Sequence, residues 1–225
     1  MGKTLFILYT CIQKKCQVTA WLKGWSSPAT SLLIVTDKHL PFPQKQEVVE
    51  SSGYQSLAEK TCLMWEQVYR KFGSKYDYFV KVDDDTFVFR ENLLAKIQET
   101  LPEFFGNYSR WRTSQTEGIN WVSGSLYGLS KTALKELVHY LKDPNKRKTF
   151  ISRGPAEDVS VSVAMAEMGI QPTEWPGIFI SEKTKSLKTF FSHPQEIISI
   201  TNLQPIEIQA IYMANTILKA IRRWF

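Results

Sequence analysis

The segment Tyr78-Phe79-Val80-Lys81-Val82-Asp83-Asp84-Asp85-Thr86-Phe87-Val88 joins an apolar run to three consecutive aspartates. Residues 76–82 read as a buried strand, which places the acids at its carboxyl end. Three adjacent carboxylates repel, and each raises its neighbours' pKa unless something neutralises them. A divalent cation would do so, and carboxylate oxygens favour hard ions such as Mg²⁺ or Mn²⁺. The plain alternative is a solvated acidic turn without a ligand.

Working upstream, Thr4–Tyr9 is continuously apolar and predicts another buried strand. A short helix is expected over Val18–Trp25, then a strand at Ser31–Val35 ending at Asp37. Residues 38–54, with Pro41 and Pro43, read as a loop. Leu57, Thr61, Met64, Trp65, Val68 and Phe72 recur at helical spacing. Ser56 and Glu59 are placed for a capping box, and Gly73 for the stop.

Downstream, Leu93, Leu94, Ile97 and Leu101 mark a helix stopped by Pro102. A loop through Gly106, Trp111 and Gly118 leads to a strand near Trp121–Leu129 and a helix capped by Ser130. Pro155-Ala156-Glu157-Asp158 opens a helix that runs to Gly169. Ile178–Ile180 and Phe190-Phe191 are strand-like.

The alternation predicts an α/β sandwich with a mostly parallel central sheet. Such sheets bind ligands at the carboxyl ends of their strands. Tyr9-Thr10, Asp37 and the aspartates all fall there. Residues 1–205 form one expected domain, and 206–225 an amphipathic basic helix with Ile211, Ala214, Leu218, Ile221 and Phe225 on one face.

Composition narrows the classes. With 225 residues, 43% apolar and 13% aromatic, the chain can bury a substantial core. Net charge is +6, but residues 1–25 and 211–225 hold seven basic side chains and no acid, leaving about −1 between them. Three cysteines (Cys11, Cys16, Cys62) without a C-x-x-C pair argue against a disulfide scaffold or structural zinc and fit a reducing compartment.

No apolar run reaches the roughly 18 residues of a membrane span. Gln13-Lys14-Lys15 follows the Leu5–Ile12 run at once with no cleavage site, unlike a signal peptide. The basic ends and seven tryptophans suggest nucleic acid, but the acidic middle and the absence of a known module argue against it.

The segment around the aspartates resembles the signature of glycosyltransferase family 31, above all its fringe and core 1 β1,3-galactosyltransferase branch. That resemblance implies an inverting, UDP-sugar-dependent enzyme of the GT-A fold, a three-layer α/β/α sandwich. It extends over most of the chain. The first strand with Lys14-Lys15 and Thr19-Ala20-Trp21 looks like the family's first βα unit, and Leu33–Asp37 is similar to its second strand. Glu59-Lys60-Thr61 resembles the helix before the metal motif. Trp121–Lys131 resembles the acceptor-side strand, Glu157-Asp158-Val159 the catalytic E-D motif, and Phe191-Ser192-His193-Pro194 the histidine near the C-terminus.

Carried over residue by residue, the resemblance implies a Mn²⁺ (or Mg²⁺) site with Asp85 as direct ligand, Asp83 beside it and His193 as second protein ligand. Asp83 and Asp84 would also hold the ribose and the ion's waters. Tyr9, Thr10, Asp37, Lys15 and Lys60 are placed for the donor, with the two lysines at its diphosphate or uracil. Trp121, Ser123, Gly124 and Ser125 are placed for the acceptor. Asp158 would be the general base, with Glu157 the alternative and helix capping the ordinary role for such an aspartate.

The implied donor is a UDP-hexose (galactose, N-acetylglucosamine or glucose), and the acceptor a glycan, glycoprotein or lipid-linked sugar joined through a β1,3 bond. Two departures stand out. Ser123-Gly124-Ser125 replaces the usual Gly-Gly-Ala, and Lys15 replaces an arginine, turning a fork into a point charge. The animal enzymes' anchor and luminal disulfides are missing from this sequence. That fits a microbial or viral version, cytoplasmic or peripheral to a membrane, or an anchor-less fragment of a Golgi-lumen enzyme.

The tail helix has two readings. It packs its apolar face on the core, or it lies on an anionic membrane with Lys219, Arg222 and Arg223 at the head groups and Trp224 and Phe225 inserted. Rival functions on the same fold are a non-catalytic sugar or nucleotide-sugar binding module and a retaining transferase.

Overall fold

The computed structural model describes residues 2–25, 31–49, 53–108, 119–179 and 196–222. In chain order the strands are β1 (Thr4–Tyr9), β2 (Leu32–Thr36), β3 (Gln46–Val48), β4 (Tyr78–Asp83), β5 (Phe87–Val88), β6 (Phe104–Tyr108), β7 (Val122–Ser130), β8 (Thr173–Glu174), β9 (Ile178–Phe179) and β10 (Ser199–Ile200). The helices are α1 (Lys15–Trp25), α2 (Leu57–Phe72), α3 (Arg90–Thr100), α4 (Lys131–Tyr140), α5 (Pro144–Ile151), α6 (Glu157–Glu167) and α7 (Pro205–Arg222).

Seven strands form one sheet in the order β3-β2-β1-β4-β7-β6-β8. All run parallel except β7, which is antiparallel to both β4 and β6. Every residue of β1 is buried, as expected of a strand covered on both faces. Helices flank both faces, an arrangement compatible with a three-layer α/β/α sandwich. Ile7, Phe79, Tyr127 and Leu129 meet Trp65, Leu134 and Met165 of α2, α4 and α6 on one side. Phe6, Leu8, Val80 and Leu126 meet Trp21, Leu93 and Ile208 of α1, α3 and α7 on the other. A small second sheet, β5-β10-β9, lies beside them.

Register positions the site. β1 pairs with β4 from Thr4↔Tyr78 to Tyr9↔Asp83, so the ends of the two central strands are level. β7 runs the other way and therefore brings its beginning, Val122–Ser125, to that same edge.

The predicted loop at 38–54 contains β3, which pairs with β2 through only three half-buried residues, too short a run to stand out as a pattern. The predicted loop around Gly106 contains β6, held by pairing with β7 rather than by any alternation of its own. Gly106 is needed there because a Cβ would come within 2.7 Å of Val122 Cβ. Helix α5, not anticipated from the sequence, buries only Phe150, so no apolar stripe marks it; it starts at Asp143, whose Oδ1 accepts from the Asn145 and Lys146 amides, with Pro144 in the first turn.

Ser130 does cap α4, accepting from the Ala133 amide at 3.1 Å. The expected capping box at Ser56 is absent: its hydroxyl donates backward to the Gly53 carbonyl at 3.0 Å. Helix α1 starts at Lys15, three residues before the predicted Val18. The expected strand at Phe190-Phe191 lies outside the described residues. All three cysteines are unpaired, and among the described residues no helix is long and apolar enough to cross a membrane.

Candidate functional site

The carboxyl ends of β1 and β4, the start of β7 and the first turn of α6 surround a cleft of about 630 Å³. Its floor is organised by Lys81. Side chains two apart on a strand share a face, so Lys81 and Asp83 point together toward α6. Lys81 is only 1% exposed. Its ammonium donates to Asp83 Oδ1 at 2.6 Å, to the Gly124 carbonyl at 2.5 Å and to Glu157 Oε1 at 2.9 Å. The rings of Tyr9 and Tyr127 lie 4.9 and 5.7 Å from it. Burial opposes its charge, but Asp83 and Glu157 outweigh that and hold its pKa above the usual lysine value.

Glu157 is 5% exposed, and both oxygens are engaged, Oε1 by Lys81 and Oε2 by the Tyr127 hydroxyl at 3.0 Å. Burial, then crowding by Asp158 and Asp83, pushes its carboxyl up to about 7 against the pull of Lys81. Its neighbour Asp158 is half-buried. Oδ2 accepts from the Gly124 amide and Oδ1 from the Val159 amide, each at 2.8 Å. Burial raises its pKa against those two bonds. The carboxylate is thus fixed in orientation by two backbone amides and still borders the cleft. Gly124 is needed at this approach: a Cβ there would sit 2.8 Å from Glu157 Oε1 and 3.3 Å from Asp158 Oδ2.

The aspartates form a turn closed by the Thr86 amide donating to the Asp83 carbonyl at 3.1 Å. Asp84 is buried, accepts from Thr10 Oγ1 at 2.5 Å, and is raised to about 6, chiefly by burial, with Asp83 and Asp85 adding. Asp85 is raised by burial and Asp83. A hydroxyl relay reaches it, Thr86 Oγ1 donating to Thr201 Oγ1 at 2.8 Å and Thr201 lying 3.4 Å from Asp85 Oδ1. Asn202, in the left-handed region at φ 59°, completes that wall.

Of the residues singled out by sequence, Asp83, Asp84, Asp85, Tyr9, Thr10, Lys60, Ser123, Gly124, Ser125, Glu157 and Asp158 line this one cleft. Three others fall outside its lining. Lys15 is exposed at the start of α1, and Lys14 takes the place beside the acids. Asp37 lies behind the wall, accepting from the Ile12 amide at 2.7 Å and so shaping the turn after β1. Trp121 precedes β7 and is half-buried. His193 lies outside the described residues.

Lys60 lines the cleft but is buried, and its ammonium donates to the Thr10 carbonyl at 2.5 Å, over the Tyr9 ring. Burial lowers its pKa, against the pull of Asp37. Sequence reasoning missed Lys81, Lys14, Tyr127 and Thr201. Lys81 carried a signal: a lysine between Val80 and Val82, in a strand buried on both faces, needs buried counter-charges.

The fit of a cation follows from the charges. Five carboxylates line the cleft (Asp83, Asp84, Asp85, Glu157, Asp158) against three ammonium groups (Lys14, Lys60, Lys81), an excess of two negative charges. Four of the five acids are held above their usual range. One divalent ion would cancel that excess, and the all-oxygen donor set suits Mg²⁺ or Mn²⁺. Among the described residues no three His, Cys, Asp or Glu side chains are grouped as a ready metal cage. A cation here would therefore draw further ligands from water and bound phosphate, as Mg²⁺ commonly does. No protein-family model matches the chain.

Proposed function

We propose that this chain is an inverting, divalent-metal-dependent glycosyltransferase of GT-A type. It moves a hexose from a UDP-sugar to a hydroxyl on a glycan, glycoprotein or lipid-linked acceptor, and the family resemblance favours a β1,3 bond. The observation that carries the reading is the convergence on one cleft of the Asp83–Asp85 turn and the amide-oriented Asp158, from segments 73 residues apart.

Asp85 and Asp83 would hold the ion, Asp83 through the oxygen not engaged by Lys81, and His193 is the expected further ligand. When bound, the cation would supply Lewis-acid stabilisation of the departing diphosphate. Asp158 accepts the proton of the acceptor hydroxyl as its oxygen attacks the anomeric carbon. The new carbon–oxygen bond forms on the face opposite the one breaking to UDP, which leaves with the electron pair. A raised pKa makes Asp158 a stronger base than an exposed aspartate. Its two amide bonds hold it in place, which lowers the entropic cost of the transition state.

Glu157, saturated by Lys81 and Tyr127, keeps the first turn of α6 against the sheet and so positions Asp158. Ser123 and Ser125, both buried at the cleft wall, narrow the acceptor side relative to a Gly-Gly-Ala strand.

The test is a panel of UDP-sugars with Mn²⁺, read by thermal stabilisation and by UDP release. A donor at 100 times its Kd stabilises by about 2.7 kcal/mol, a shift of about 5–10 °C for a chain of this size. Asp85→Ala is expected to lose the metal-dependent shift. Asp158→Asn is expected to keep the shift and lose transfer by a factor of about 10² or more. Normal transfer in Asp158→Asn overturns the base assignment; no metal-dependent shift with any UDP-sugar overturns the reading itself.

A further inference from the structure

Helix α7 carries two apolar faces. Ile208 and Ile211 are buried in the core shared with α1 and β4, as the inward stripe of a surface helix should be. On the opposite side Ile206, Ala210, Met213 and Ile217 recur at i, i+4, i+7 and i+11, and all are exposed. Ile206 is 76% exposed, Met213 63% and Ile217 58%. Scattered exposed apolar residues are ordinary, whereas a row along one helix face marks an interaction surface.

Glu207 is the one acid on α7, and the neighbouring helix α1 makes the surroundings of that row basic. Gln17 Nε2 donates to the Leu203 carbonyl, just before α7, and further along Gly24 faces Tyr212, so α1 and α7 lie side by side and run the same way. Lys14, Lys15 and Lys23 are exposed on and just before α1. Residues 1–25 and 211–225 hold seven basic side chains and no acid. Both helices also start at the cleft, where Lys14 and Asn202 form part of the wall.

We propose that the α1–α7 face docks on an anionic membrane surface. Ile206, Met213 and Ile217 enter the boundary between head groups and acyl chains, and the exposed lysines on and just before α1 face lipid phosphates and carboxylates. An interfacial helix with an apolar stripe and a basic setting binds this way, through buried area plus attraction to anionic lipid.

A second copy of the chain is the weaker occupant on two counts. Two such faces would bring like charges together. A single row of four side chains also falls far short of the roughly 800 Å² per partner of a stable interface. The inference does not depend on the transferase reading. If both hold, the cleft mouth lies at the bilayer, where a lipid-linked acceptor presents its hydroxyl.

The experiment is co-sedimentation of the full chain with vesicles of phosphatidylcholine alone or mixed with phosphatidylserine, at low and high salt. Binding is expected only to the anionic vesicles and is expected to weaken with salt. The triple variant Ile206→Ser, Met213→Ser, Ile217→Ser is expected to lose about tenfold or more of that partitioning, with unchanged near-UV circular dichroism and UDP-sugar hydrolysis. A second variant, Lys15→Glu with Lys23→Glu, leaves the stripe intact and is expected to lose the preference for anionic lipid. Sedimentation equilibrium without lipid is run alongside. Equal or absent binding to both vesicle types overturns the proposal, as does a lipid-free dimer that the triple variant dissolves, which would make α7 a subunit seam.

Discussion

In Lys81→Met the side chain keeps its length and loses the charge that joins Asp83, the Gly124 carbonyl and Glu157 beneath the cleft. Removing one partner from a buried ion pair typically costs about 3–5 kcal/mol, because the other partner remains buried without it. For a chain of this size each kcal/mol shifts the midpoint by about 2–4 °C, so a fall of about 6–20 °C is expected. Urea unfolding is the companion assay, with the midpoint falling and the slope unchanged.

The loss must also depend on pH. Glu157 titrates at about 7 in the folded chain against an ordinary 4.5. A carboxyl raised by folding gives stability that is complete below its unfolded pKa and lost as pH rises through the folded one. Here that amounts to about 3 kcal/mol between roughly pH 4.5 and 7. Without Lys81 the pKa of Glu157 rises further and the window extends above pH 7. The deficit of Lys81→Met relative to the parent is therefore expected to grow from pH 5 to pH 8. Adding Glu157→Gln should recover more than about 1 kcal/mol at pH 8, since glutamine still accepts from Tyr127 without a charge. A change below about 1 kcal/mol in Lys81→Met, or a deficit that shrinks toward alkaline pH, refutes the reasoning.

Asp84→Asn should raise the midpoint of the metal-free protein. The carboxyl is raised from 3.8 to about 6, so up to about 3 kcal/mol of stability is lost as pH rises through that range and returns when the charge is removed. A lower midpoint in EDTA at pH 7.5 counts against this. Gly124→Ala places a Cβ 2.8 Å from Glu157 Oε1 and should displace α6, costing about 1–3 kcal/mol and lowering turnover more than donor affinity. Gly128→Ala, whose Cβ would meet Phe105 Cζ at 2.1 Å, is the contrasting case: a stability loss with no preferential loss of turnover, measured in the same assays.

The alternation of apolar strands and periodic helices was legible because β1, β4, α2 and α4 each bury a continuous or periodic set of side chains. The acidic turn was legible because like charges in sequence need an explanation wherever they fold. β6 and β8 were not legible, since their identity comes from pairing partners far along the chain, and α5 was missed because it buries one residue. The sequence points to carboxylates with Lys15, Lys60 and His193 beside them, whereas the organising group of the site is Lys81, whose partners Gly124 and Glu157 lie 43 and 76 residues away. Asp37 and Lys15 sit at the right places in the chain, but the turn after β1 carries Lys15 off the cleft wall, and Asp37, just after β2, is engaged behind it by the Ile12 amide.

The reversal of β7 separates two jobs within one strand. Its downstream half, Leu126–Ser130, is locked in register against Tyr78–Val82, while its upstream end is where the polypeptide arrives beside the cleft. Substituting Ser123 or Ser125, which line the cleft, would remodel one side of the opening while leaving the ladder beyond it undisturbed. An architecture of this kind can exchange the molecules it accepts without refolding its interior.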